Sequence, residues 1–137
     1  MFTKIDLSTQ QSEALINLTP QVQAAVQSSG VQEGICVVFA PHTTAAITVN
    51  SAMDPRTAAD IIGDVHRLVP TRVDFNHIYD TPADAAGHIK ATLIGNSVTL
   101  IISGGKLMLG GSQSVLFFEF DGPRQRQVWV RVMRESN

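Results

Sequence analysis

Three histidines stand at the places in this chain where chemistry is most easily presented. His42 follows the apolar run GICVVFA and a proline, His77 lies in the hydrophilic stretch TRVDFNHIYDT, and His88 sits within ADAAGHIKATLIG. Their spacing is too irregular for a local motif such as H-E-x-x-H, so convergence would have to come from the fold. Taken singly, each reads as a surface residue or a hydrogen-bonded core residue. Together, three neutral imidazoles and an open position could hold a divalent ion, zinc above all, that polarises an oxygen or lowers the pKa of bound water. His66 lies between Val65 and Arg67 on a helical pattern and reads as a solvent-facing residue.

Other polar residues could complete such a site. Asp60 and Asp64 are one helical turn apart and share a face. That is a solvated acidic face, or else Asp60 is an outer carboxylate that orients a metal-bound imidazole. EFDGPRQR places Arg124 and Arg126 on one face of a strand. Two guanidiniums there could grip a phosphate or diphosphate in a planar fork, or could pair with Glu119 and Asp121 across the turn. GGKLMLGGS superficially resembles a phosphate loop, but Gly111 stands where the lysine belongs and an apolar strand follows in place of a helix. Two tight turns around a short KLML strand account for it.

The elements that must position these residues follow from pattern. Residues 2–8 and ALINLT predict strands, and Thr19-Pro20 predicts a helix start, with Thr19 as the cap and Gly30 as the stop. GICVVFA is apolar on both faces and predicts a buried strand, with residues 44–50 as the next. Asp54-Pro55 opens a helix whose apolar residues recur at Ile61, Ile62, Val65, Leu68 and Val69 until Pro70. The segment between Pro70 and Pro82 reads as a surface loop of a length that is often functional. A helix from Ala83 to Ile94 follows, then the strands SVTLIIS, SVLFFEF and RQVWVRVM, the last with Val128, Val130 and Val132 toward a core. Strands at both ends with helices between them predict an α+β domain, a mostly antiparallel sheet or sandwich with two to three helices.

Composition sets the outer bounds. The chain has 137 residues, 44% hydrophobic and 16% charged, which fits one domain spanning 1–137 with one core. A formal charge of −2 argues against a nucleic-acid partner or an anionic membrane surface, since either draws on a broad excess of Lys and Arg. Cys36 is the single cysteine, so no internal disulfide is possible, and its apolar neighbours make it a small core hydrophobe. Without a long apolar segment, the cytoplasm is the expected location.

The order APHTTAAITVN, DPRTAADI, DFNH, ADAAGHIKATLIG, LMLGGSQ and FEFDGPRQRQVWV resembles the YjbQ-like family, the secondary thiamine-phosphate synthase enzymes, from about Leu18 to Val132. The resemblance implies an α+β homotrimer with a histidine-lined metal pocket and a phosphorylated small-molecule substrate. It also implies an activity that joins a pyrimidine diphosphate to a thiazole phosphate and releases pyrophosphate. By motif position it makes His42, His77 and His88 the metal ligands and catalytic residues, with Asp60 beside them. It assigns Arg124, Thr43, Thr44, Asn50, Gln113 and Glu119 to substrate and phosphate. Zinc is the implied metal, with Mg2+ an alternative for a diphosphate. Two departures stand out: Ser51 replaces a glutamate frequent after the asparagine, and Ser112 replaces an aromatic residue before the glutamine. A metal-handling binder without turnover and a metal-dependent hydrolase are the competing functions.

Overall fold

A computed structural model describes residues 1–136 as one α+β domain. The elements run β1 (Phe2–Ser8), β2 (Ala14–Asn17), α1 (Thr19–Ser29), β3 (Gly34–Phe39), β4 (Ala45–Asn50), α2 (Pro55–Leu68), α3 (Pro82–Ile94), β5 (Ser97–Ser103), β6 (Lys106–Leu107), β7 (Ser114–Glu119) and β8 (Gln125–Arg134). They build a five-stranded sheet, β1-β8-β3-β5-β6, and a three-stranded sheet, β2-β7-β4. All strand pairings are antiparallel. No helix among the described residues is long and apolar enough to cross a membrane.

The period-2 alternation of strand side chains makes this a layered structure. Val128, Val130 and Val132 of β8, with Cys36 and Val38 of β3, meet Ile47 of β4 and Phe117 of β7 in a core that α1 closes with Val22 and Val26. Phe118 and Ala46 face the other way, and with Phe120 they form a second core under Ile61, Ile62 and Val65 of α2 and Ala91 and Ile94 of α3. Val115 to Phe118 is an unbroken apolar run because β7 is the middle strand of a sheet covered on both faces. Burial pushes the Cys36 thiol up to about 11, so it remains a protonated packing group.

Two local expectations are corrected. Thr19 is the first residue of α1 and does not cap it: Leu18 holds the cap position without a side-chain bond. The Thr19 hydroxyl instead donates to Asn17 Oδ1 at 2.7 Å and accepts from the Val115 amide at 2.8 Å, tying the helix start to β7. The amphipathic α2 buries none of its residues fully, and Leu68 is 79% exposed. Gly30 does stop α1, at φ 70°, where a side chain would be strained.

Candidate metal centre

The site is built on the first two turns of α3 and the loop before it. Thr81 caps the helix, accepting from the Asp84 amide at 3.2 Å, and so fixes the turn that carries the Asp84 carboxylate. Asp84 and His88 are four residues apart and lie one above the other on a single helix face. Gly87 lets that helix lie close to the sheet: a Cβ there would stand 3.2 Å from the Thr44 side chain and 3.4 Å from Phe120 Cβ. The loop of residues 69–81 then returns His77 over the same face.

His77 Nε2 lies 3.0 Å and His88 Nε2 3.1 Å from the same atom, Asp84 Oδ2. The two rings are 5.2 Å apart at an interplanar angle of 79°. The three potential ligand atoms all fall within 4.8 Å of one another. Two imidazoles thus converge as expected, and the carboxylate between them is Asp84, which sequence reasoning missed. Its signal was present as D-x3-H, the i,i+4 spacing on one helix face.

Asp60 does not fill the orienting role expected of it. It is exposed on α2 and makes no hydrogen bond to any ring, because α2 packs its Ile61, Ile62 and Val65 edge inward and turns Asp60 out. His66, also exposed, lies with Nδ1 3.0 Å from Glu13 Oε1.

His42 is close to the centre without joining it. Its Nε2 accepts from the Gln127 amide at 2.9 Å and lies 3.0 Å from the Gln127 carbonyl, so this nitrogen is committed to strand β8. Burial foremost, then the Arg126 charge, lowers the His42 pKa, and the Gln127 carbonyl offsets this only in part. A neutral ring that accepts at Nε2 carries its hydrogen on Nδ1. His42 shares a cleft of about 270 Å³ with His88, Thr43, Ala91, Thr92 and Asn96. On the other side, a cleft of about 560 Å³ runs past His77, His88, Arg72, Asp74, Phe75 and Ile89.

Behind the histidines lies a chain of charge. Burial raises the Asp121 carboxyl, the Arg124 guanidinium opposes this, and a hydrogen bond shared with Asp84 raises it further; the net result is upward. Burial also raises Asp84, but the bonds from His77 and Asp121 and the neighbouring His88 outweigh it and hold Asp84 below the ordinary range. Arg124 closes on Asp121, donating from Nε to its carbonyl at 2.8 Å and from Nη2 to Oδ2 at 2.8 Å. Of the two readings of the arginine pair, the structure shows ion pairing: Arg126 is buried against Glu119, and the half-exposed Arg124 pairs with Asp121.

The remaining expected residues divide by burial and by end. Glu119 is fully buried, accepting from Thr9 and Arg126, and Thr44 is buried with its hydroxyl accepting from Arg126 at 2.9 Å. Both belong to the framework behind the site, out of a ligand's reach. Thr43 is exposed beside His42. Asn50 pairs with Ser114 at the far end of the three-stranded sheet, where Gln113 accepts from the Gly110 amide at 2.8 Å. Ala45, opposite Glu119, is five residues and so about 17 Å away along the strand.

A family model described as UPF0047 protein YjbQ-like matches residues 3–135. A UPF0047 protein of Methanocaldococcus jannaschii is 40% identical over 136 residues, covering 99% of this chain and 96% of its own. The crystal structure of an uncharacterized conserved protein of the yjbq/upf0047 family from Clostridium acetobutylicum aligns with a TM-score of 0.91 at 41% identity, over 96% of this chain and 99% of that one. A hypothetical protein from Aeropyrum pernix K1 aligns with a TM-score of 0.93 at 33% identity, over 98% and 99%. With matches of this extent in both sequence and structure, the chain belongs to the UPF0047 YjbQ-like family.

Proposed function

We propose that the protein is a metal-dependent enzyme acting on a phosphorylated small molecule, with His77, Asp84 and His88 as the residues that hold a divalent ion. The convergence of these three side chains carries the reading. Ligands about 2.0–2.2 Å from a tetrahedral ion stand roughly 3.3–3.6 Å from one another. The separations of 3.0 and 3.1 Å around Asp84 Oδ2 come within a few tenths of an ångström of that. Two imidazoles and one carboxylate suit zinc, whereas Mg2+ prefers oxygen ligands and would find only Asp84. A bound ion would supply Lewis acidity toward a phosphoryl oxygen.

The chain's own groups have separable tasks. Asp84 brings its carboxylate between the two imidazoles, and Asp121 lies behind it, paired with Arg124. Arg124 leaves Nη1 without a hydrogen bond to the described residues, a donor for an anionic oxygen beside the metal site. The reaction we favour is the one the thiamine-phosphate synthase resemblance implies: union of a pyrimidine diphosphate with a thiazole phosphate, with pyrophosphate leaving. We infer a low rate on that pair and a different physiological substrate. A homotrimer in the cytoplasm is part of this reading, supported by an outer face of the five-stranded sheet that exposes Ile35, Ile101 and Met133. In such an assembly Asn50 and Gln113 would serve a neighbouring subunit's pocket.

Metal analysis of the purified protein, paired with turnover assays of the wild type and His88→Ala, tests the proposal. The expected result is about one zinc per chain, with both metal and turnover lost in the variant at unchanged circular dichroism. Stoichiometric metal with no turnover on any phosphorylated substrate would make the protein a binder; metal-dependent phosphate release alone would make it a hydrolase.

A further inference from the structure

The chain between α2 and α3 has two firm ends and one fastening between them. At one end Val69 is buried and its amide donates to the Val65 carbonyl at 3.0 Å, and at the other Thr81 caps α3. Among the described residues, the contact of His77 Nε2 with Asp84 Oδ2 is the one hydrogen bond that joins residues 70–80 to the rest of the protein. The same ring stands edge-on to His88, so both ties run through His77. Apolar burial does not make up the difference. Val73, Ile78 and Tyr79 are 94%, 77% and 93% exposed, and Phe75 alone of the segment's large apolar side chains is half-buried. Other contacts are internal: Arg72 Nε lies 2.7 Å from Asp74 Oδ1, and its guanidinium sits over the Phe75 ring at 4.1 Å. They brace the shape of the segment without fixing its position.

We propose that residues 70–80 are a strap that opens and closes over α3, with His77 as its latch. The strap is one wall of the cleft of about 560 Å³ and α3 is the other, with Phe75 and His77 on one side and Ala85, His88 and Ile89 on the other. Release of His77 frees that wall and opens the way to Asp84. One hydrogen bond to a carboxylate changes the closed-to-open ratio by roughly tenfold, small enough for the open state to be visited and large enough for the latch to govern it. A ligand that binds only the closed arrangement pulls the strap shut. A divalent ion held by His77, Asp84 and His88 is such a ligand, since it needs His77 in place. The strap and its latch stand without a metal; only closure by an ion rests on the metal-centre reading.

Trypsin cleavage of the native protein tests the strap, because Arg72 is its only lysine or arginine. While reclosing outpaces cleavage, the rate of the cut after Arg72 follows the open population. Rates are read by mass spectrometry relative to the cut after Arg67 of α2, which a globally loosened fold would raise equally. The variants are His77→Ala and, as control, its exposed neighbour Asn76→Ala. Without metal, Arg72 is expected to be cut before Arg67, about tenfold faster in His77→Ala and at the wild-type rate in Asn76→Ala. Zinc should slow the wild-type cut by about tenfold or more and leave His77→Ala unchanged. Equal relative rates in wild type and His77→Ala without metal overturn the latch, and a wild type cut no sooner at Arg72 than at Arg67 overturns the strap. A competitive zinc titration separates the two readings. Faster cleavage of His77→Ala without any zinc binding sinks the metal centre and keeps the strap, while zinc bound without slower cleavage keeps the metal centre and overturns closure by the ion.

Discussion

At the scale of the residue, the Pro41-His42 pair has a structural reason beside any chemical one. Phe39 pairs with Trp129, so the same register continued would set Pro41 against Gln127. The odd-numbered residues of β8 turn their main-chain groups toward β3, as the bond from the Glu135 amide to the Glu33 carbonyl shows, and the even-numbered ones turn toward β1. Proline can offer no N–H there. The His42 side chain meets β8 at this point instead, its Nε2 accepting from the Gln127 amide and lying 3.0 Å from the Gln127 carbonyl. Arg124 is the residue whose role a conservative change decides best. Its fork closes on Asp121 with the side chain 48% exposed, and a lysine cannot reproduce two planar bonds while offering a third donor. Arg124→Lys is expected to weaken pyrophosphate binding by about tenfold or more, near 1.4 kcal/mol, with metal content unchanged, as read by calorimetric titration. Equal affinities would confine Arg124 to its ion pair.

At the scale of the element, α3 does most to set the site, and its start matters more than its middle. Thr81 holds the turn that carries Asp84, and the buried Lys90 anchors the rest, its Nζ donating to Glu13 Oε1 at 2.8 Å. The same Glu13 oxygen meets His66, so one loop carboxylate ties α2 and α3 to the β1–β2 connection. Thr81→Ala should cost about 1 kcal/mol of stability through the lost cap. It should also weaken zinc binding by severalfold, because Asp84 loses its fixed turn, and Thr81→Ser should restore both. Thermal melts and a competitive zinc titration measure the two effects. Melting affected without zinc affinity would show that the Asp84 position is set by the histidines.

At the scale of the whole molecule, one buried ion pair links the two sheets to the site. Glu119 accepts from Arg126, Thr9 and the Asp121 amide, and Arg126 reaches on to Thr44 of the β3–β4 connection. Burial raises the Glu119 carboxyl, but these bonds, Arg126 foremost, outweigh it and hold it below the ordinary range. The unfolded chain therefore takes up this proton at higher pH than the folded one. Stability that is full above the unfolded value is lost as pH falls through the folded value. Glu119→Gln should lower stability at pH 7 by about 3–5 kcal/mol, since Arg126 is left buried without its anion, and should flatten the decline below pH 5. Denaturant unfolding from pH 7 to pH 3 tests both. The uncovered outer sheet face bears on assembly. Sedimentation at micromolar concentration is expected to give a trimer, and Ile101→Lys to shift it toward monomer with the fold retained. A wild-type monomer would remove the idea that Asn50 and Gln113 complete a neighbour's pocket.

The sequence by itself determined the element order, because strand and helix periods and the Asp54-Pro55, Gly30 and Pro82 signals are local. It misjudged which strand would be covered on both faces: GICVVFA predicts that for β3, but β3 turns Ile35 out on the open face of the five-stranded sheet, and β7 is the strand enclosed by two cores. It placed His77 and His88 among the functional candidates by type and by boundary. Tertiary structure alone decided which residues meet. Asp84 joins the histidines only because the loop of residues 69–81 folds back over the first turns of α3. Asp60 drops out because packing of α2 against Phe118 and Phe120 turns it outward. Thr44 and Glu119 became framework once β4, β7 and β8 enclosed Arg126, and the cluster of His77, Asp84 and His88 forms without His42, whose Nε2 meets Gln127 of β8. Local patterns record what each segment can be, whereas a site between segments depends on distances that loops and packing set.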